Sequence, residues 1–155
     1  MKSTKKSEKW DRRFMDLCDH ISQWTEDRDF QVGAVIVGPD LAIRSTGYNG
    51  FPRGVRDDVQ DRYDRSSGEK FYWFEHGERN AIYNAARMGV SLSGCTLYVN
   101  RFPCADCARA IIQSGIETLC CPPKPANDGA LDHSFDVSET MLAEVGLPVR
   151  FLTKD

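Results

Sequence analysis

Thr96-Leu97-Tyr98-Val99-Asn100-Arg101-Phe102-Pro103-Cys104-Ala105-Asp106-Cys107 decides the fold, together with the run that follows it through Gly115 to Thr118-Leu119-Cys120-Cys121. Two short β-rich apolar runs, 96–99 and 118–121, flank a segment of helical pattern. Pro103 suits the first turn of a helix, which continues from Ala108 to Ser114 until Gly115 stops it. A strand–helix–strand unit of this kind is a crossover, and a crossover makes its two strands parallel.

The same logic extends in both directions. Downstream, a Pro/Gly-rich loop over 122–132, a helix near 137–145 and a strand near 149–152 form a second crossover. Upstream, β-rich 32–37, the turn Gly38-Pro39-Asp40 and a strand over 41–48 predict an antiparallel hairpin. Helical pattern runs from Glu75 to Met88, with Gly89 as its stop. Near the start, Trp10, Phe14, Leu17, Cys18, Ile21 and Trp24 form one apolar helical stripe, with Ser7 as N-cap. Residues 1–6 read as a disordered polar tail, and 49–70 as a long loop of the kind that often carries function. The order α-β-β-α-β-α-β-α-β predicts an α/β fold, a three-layer α/β/α sandwich around one mixed five-stranded sheet. Residues 7–155 form a single domain on this reading.

Composition narrows the function. The chain has 155 residues, 41% hydrophobic and 28% charged, as an ordinary globular domain has. A net charge of -3 and a pI near 5.6 disfavour binding to polymeric nucleic acid, which calls for a basic domain. The basic opening residues lead into no apolar stretch, so neither a signal peptide nor a membrane span is expected. A cytoplasmic protein follows, with its six cysteines reduced. Cys18, Cys95, Cys120 and Cys121 are then small core residues.

The chemistry sits in two split motifs, His76-Gly77-Glu78 and Pro103-Cys104-Ala105-Asp106-Cys107. Cys104 and Cys107, three apart at a helix start, present both sulfurs to one side, where the helix dipole favours thiolates. His76 and Glu78 are about 200° apart on a helix, so they converge only if His76 lies at the helix mouth. Each half alone is weak: a Cys-x-x-Cys is also a redox pair or half of a structural zinc site. Together they give three zinc ligands, His76, Cys104 and Cys107, with the fourth position left for water, as in catalytic zinc sites. Glu78 is then the catalytic proton shuttle, serving a water that zinc makes nucleophilic at neutral pH. The reaction expected is hydrolytic loss of ammonia from a cytosine ring.

Nearly the whole chain also resembles the deoxycytidylate (dCMP) deaminase family of the cytidine deaminase superfamily. The resemblance runs through 32–37, Gly47-Tyr48-Asn49-Gly50-Phe51-Pro52-Arg53-Gly54, 75–82, 96–99, 103–108 and 111–116. It implies Zn2+ as cofactor and conversion of dCMP to dUMP in pyrimidine nucleotide biosynthesis. It also implies dCTP and dTTP as regulators, and a homo-oligomer, commonly a hexamer. Two residues depart from the family pattern: Gly77 stands where Ala is usual, and Arg79 where an apolar residue is common.

The resemblance implies that Asn49, at the end of the second strand, hydrogen-bonds the nucleotide, and Ala34 is a further expected substrate contact. Phe51 and Phe135 are stacking candidates because their surroundings read as loops. Trp10, Phe14, Trp24, Trp73 and Phe74 read as core. Arg53 and Arg87 are candidates for a phosphate, with Arg56 and Lys70 also available. Two other functions stay open: a related deaminase of another base, nucleoside or nucleotide such as dCTP, a modified cytosine or a free base, and a non-enzymatic zinc-binding module.

Overall fold

The computed structural model describes residues 2–153, with side chains from residue 7 onward. Five strands form one sheet in the order β2-β1-β3-β4-β5, with β1 at Gly33–Val37, β2 at Ile43–Tyr48, β3 at Thr96–Val99, β4 at Thr118–Cys121 and β5 at Val149–Phe151. β1 pairs antiparallel with both β2 and β3, while β3, β4 and β5 run parallel. The helices are α1 (Lys2–Ser22), the single turn α2 (Lys70–Trp73), α3 (Gly77–Met88), α4 (Ala105–Gln113) and α5 (Asp132–Glu144).

Alternation along β1 builds the three layers. Val35 and Val37 face α1, where they pack with Phe14, Cys18, Ile21 and Tyr98. Ala34 and Ile36 face the other way, into a larger core with Ala81 of α3, Ile111 of α4 and Phe135 and Leu142 of α5. A sheet with both faces covered must be apolar on both, and every residue of β1 is buried. The predicted α/β/α sandwich is the observed one. No helix among the described residues is long and apolar enough to cross a membrane.

The boundaries differ in instructive places. α1 begins at Lys2 rather than at Ser7, so the expected polar tail is helical from that residue; Met1 lies outside the described residues. Polar residues such as Lys are good helix formers, and nothing in 2–6 breaks the helix. α1 also ends at Ser22, which leaves Trp24 off the stripe and 56% exposed. α5 begins at Asp132, five residues before the expected start at 137, because the Asp132 carboxylate accepts the N–H groups of Asp128 and Gly129 and fixes the turn there. Phe135 is therefore a buried helix residue and not a loop aromatic. The long 49–70 loop contains a 3-10 turn at Gln60–Tyr63.

α3 is held against β2 by backbone proximity and by polar side chains. A Cβ at Gly47 would lie 2.3 Å from the Ala81 nitrogen and 2.5 Å from the Gly77 carbonyl oxygen, so only glycine admits this approach. Ser45 Oγ donates to the Ala81 carbonyl at 2.6 Å, and Asn84 Nδ2 to the Thr46 carbonyl at 2.8 Å. Gly50 and Glu75 exchange backbone hydrogen bonds of 3.0 and 2.8 Å just before α3 begins. Gly47→Ala must push α3 off the sheet. It is expected to cost about 1–3 kcal/mol or more by chemical denaturation, and a variant as stable as the wild type would contradict this account of the contact.

Candidate metal centre and cavity

The order of elements brings two helix mouths together. α3 leads directly into β3 and runs antiparallel to it, so its N-terminus lies over the C-terminal end of β3. α4 starts where β3 ends. His76 is the N-cap of α3 and Cys104 the N-cap of α4, both in extended backbone. Cys107 then sits at the third helical position of α4, and an N-cap side chain points towards that residue. The two sulfurs thus converge by cap geometry, with Cys104 at the cap and not in the first turn.

His76 Nδ1 lies 3.4 Å from Cys104 Sγ and 3.5 Å from Cys107 Sγ, and the three donor atoms lie within 4.8 Å of one another. A tetrahedral zinc with bonds of about 2.3 Å to sulfur and about 2.0 Å to nitrogen separates S from N by roughly 3.5 Å. The donor set and spacing fit zinc, with three protein ligands and no fourth in the cluster. A hydrogen bond with the Cys107 side chain pulls the Cys104 thiol down to about 4. Burial pushes Cys107 up. Burial also presses on His76, but the adjoining Cys104 and Glu78 outweigh it and raise its pKa.

Glu78 is 3% exposed and lies on the first turn of α3. Burial raises its carboxyl above the usual range, which suits a group that must carry a proton near neutrality. Glu78, His76 and Cys104 line one small cavity of about 60 Å³ that opens to solvent. Its walls include Phe30, Phe74, Phe102, Leu131 and Phe135, and its polar lining includes Asp27, Asn49, Arg65, Lys70 and Arg101.

A buried polar network supports the rim. Asn49 Oδ1 accepts the Val32 N–H at 2.9 Å, and Asn49 Nδ2 donates to Asp27 Oδ2 at 2.9 Å and to the Phe30 carbonyl at 3.0 Å. Lys70 Nζ reaches Asp27 Oδ1 at 2.6 Å and Asp29 Oδ2 at 2.9 Å. Lys70 and Asp27 are both buried, and their mutual neutralisation is what makes that burial tolerable.

The expected substrate residues divide. Asn49 and Phe135 line the cavity. Ala34 does not; its side chain is wholly inside the core against the sheet. Phe51 meets Tyr63 edge-on and Phe74 at a tilt, and lines a neighbouring groove. Arg53 lies in the same groove and donates to Asn84 at 2.6 Å. Arg87 is exposed in the last turn of α3, roughly 15 Å along the helix from its mouth, too far to reach a ligand bound there. Arg56 is exposed and paired with Asp58. Of the expected cations only Lys70 reaches the cavity, already paired.

The two family departures have structural partners. A Cβ at Gly77 would come within 3.1 Å of the Val32 carbonyl oxygen, so this chain packs Val32 where an alanine would need room. Arg79 turns away from the cavity, pairing with Glu75 and, at 3.3 Å, with Asp106 of α4, and so ties the two helix mouths together. Arg65 and Arg101 were not expected in the cavity. The signal for Arg101 was its place at the C-terminal end of a parallel strand, where α/β sheets gather ligands.

Three metal donors at two helix mouths, with a buried carboxylate beside them in an aromatic-walled cavity, are the parts of a zinc-dependent deaminase. Residues 8–122 match the family described as the cytidine and deoxycytidylate deaminase zinc-binding region. The chain belongs to that family. It is 36% identical over 148 residues to an uncharacterised deaminase of Aliivibrio fischeri, covering 95% of this chain and 96% of that one. It is 38% identical over 113 residues to human deoxycytidylate deaminase, covering 71% of this chain and 62% of the longer human one. Among solved structures, dCMP deaminase from cyanophage S-TIM5 in complex with dCMP and dUMP has the same fold, with a TM-score of 0.71 at 23% identity over 91% of this chain and 95% of that one.

Two variants test the geometry. Cys107→Ser is expected to lose zinc during dialysis that leaves the wild type loaded, read by elemental analysis; full retention would show that Cys107 is not a ligand. Asp27→Ala removes the buried partner of Lys70, leaving it only the more exposed Asp29, and leaves the Asn49 amide only the Phe30 carbonyl. It is expected to cost about 1–3 kcal/mol in denaturant unfolding, and an unchanged midpoint would show that the network does not support the rim.

Proposed function

We propose that this protein converts dCMP and water to dUMP and ammonia. His76, Cys104 and Cys107 hold the zinc, and Glu78 moves the protons. The observation that carries the reading is Glu78 itself: a carboxylate 3% exposed, facing the same cavity as the metal donors and ligating nothing. A structural zinc site has no use for such a group. The choice of dCMP rests on relatives named deoxycytidylate deaminase and on a solved dCMP deaminase that shares the fold.

Zinc supplies Lewis acidity that makes a water nucleophilic at neutral pH. The Glu78 carboxylate takes one proton from the attacking water and passes it to the ring nitrogen, then takes the second from the same oxygen and delivers it to the amino group, so that the C–N bond breaks, ammonia leaves and the carboxylate is regenerated. Because the proton moves on and off the same carboxyl, its raised affinity for the proton is part of the function. The phenylalanine walls exclude bulk water, which strengthens each charge interaction inside. Asn49 keeps one Oδ1 lone pair beyond its bond to Val32 for a substrate hydroxyl, and Phe135 closes the base end.

Composition and chain organisation support residues 7–155 as one cytoplasmic deaminase domain, and the family resemblance supports a homo-oligomer regulated by dCTP and dTTP. Ammonia release from dCMP, CMP, dCTP, deoxycytidine, cytosine and guanine tests the substrate. dCMP is expected to lead, and turnover of a free base with none of dCMP would refute it. Glu78→Gln is expected to keep its zinc and lose about 100-fold or more in kcat; a variant with wild-type turnover would refute the proton-shuttle role.

A further inference from the structure

The cavity carries a cationic device that neither the metal chemistry nor Glu78 uses. Arg65, from the loop before α2, and Arg101, from the loop after β3, both line it. Both grip one carboxylate, that of Asp128 in the loop between β4 and α5. Arg101 Nη2 donates to Asp128 Oδ1, and Arg65 Nη2 donates to Asp128 Oδ2 at 2.6 Å. The Leu131 N–H donates to Oδ2 as well, at 3.0 Å. Asp128 has a side chain only 2% exposed, whereas Arg65 and Arg101 remain 22% and 20% exposed. Phe30 supports both guanidiniums, with Arg101 Cζ at 3.7 Å and Arg65 Cζ at 4.6 Å from its ring centroid.

Charge and hydrogen bonds both point at a ligand. The pair Arg65 and Arg101 carries two positive charges against one from Asp128. The third cation, Lys70, is already matched by Asp27 and Asp29. Each guanidinium has five N–H donors, and among the described residues neither has a hydrogen-bond partner other than Asp128. Asp128 is absent from the cavity lining, so it holds the arginines from behind and does not occupy the space they face. The result is an oriented, incompletely neutralised two-arginine fork in the cavity that holds Glu78. Forks of this kind bind phosphate by paired N–H donors.

We infer that Arg65 and Arg101 are the specificity-determining clamp for a 5′-phosphate monoester on the substrate, and that Asp128 is the residue that positions them. This rests on the deaminase reading given above. It replaces Arg53 and Arg87 as the phosphate-binding residues. With one of its two charges offset by Asp128, the fork keeps one net positive charge and free N–H donors for a phosphate, so the clamp selects nucleotides over nucleosides and free bases.

Calorimetric binding of dUMP and of deoxyuridine to the zinc-loaded protein tests it without requiring turnover. Arg65→Gln and Arg101→Gln are each expected to weaken dUMP by roughly tenfold or more and to leave deoxyuridine unchanged. Asp128→Ala, which frees both guanidiniums from their brace, is expected to narrow the ratio of dUMP to deoxyuridine affinity in the same direction. Thermal melting identifies any variant that fails to fold, and Arg101→Lys, which keeps the charge and loses the fork, is then expected to lose part of the dUMP affinity. Variants that lose both ligands equally, or neither, would overturn the clamp. A wild type that binds dUMP tightly through these arginines but does not deaminate dCMP would leave the clamp standing and refute the function proposed above.

Discussion

Everything at the site depends on one close approach, the 3.4 Å between His76 Nδ1 and Cys104 Sγ across two helix mouths. Topology makes this approach unavoidable. α3 enters β3 from one end and α4 leaves it from the other, so both N-termini lie over the same strand end. Gly47 lets α3 sit near enough to β2 for the mouths to meet, and Arg79 links them through Glu75 and Asp106. Two of the metal donors are thus caps of rigid helices and the third lies in the first turn of one, which suits a centre whose geometry must be fixed before its metal arrives.

Around that approach the cavity divides its work between two kinds of charge. Glu78 is a buried carboxylate that forms no ion pair among the described residues, and burial raises its affinity for the proton. Asp27 and Lys70, and Asp128 with its two arginines, are buried charges held by partners. The unpaired group is poised for proton transfer, while the paired groups shape the walls.

The fold and the metal centre were legible because spacing carries them. Cys-x-x-Cys after a strand, and His-x-Glu before a helix, each fix a local geometry, and because α3 leads into β3 while α4 leaves it, both motifs meet at the same strand end. The cavity lining was less legible, because it comes from loops. Arg65, Arg101 and Asp128 are 27 or more residues apart, and no periodicity joins them. Arg87 looked suitable by its charge, but the length of α3 carries it away from the mouth. Phe135 gained its place only because Asp132, through its side-chain bonds to 128 and 129, starts α5 early enough to bury it. Asn49 was placed correctly at the end of β2, yet most of its hydrogen-bonding capacity holds the rim together.

The most direct test is the rate of dUMP formation from dCMP as zinc is added back to metal-free protein. Activity is expected to rise with zinc and to saturate at one ion per chain. Metal-free, folded protein that turned over dCMP at the full rate, or fully loaded protein that produced no dUMP, would contradict it.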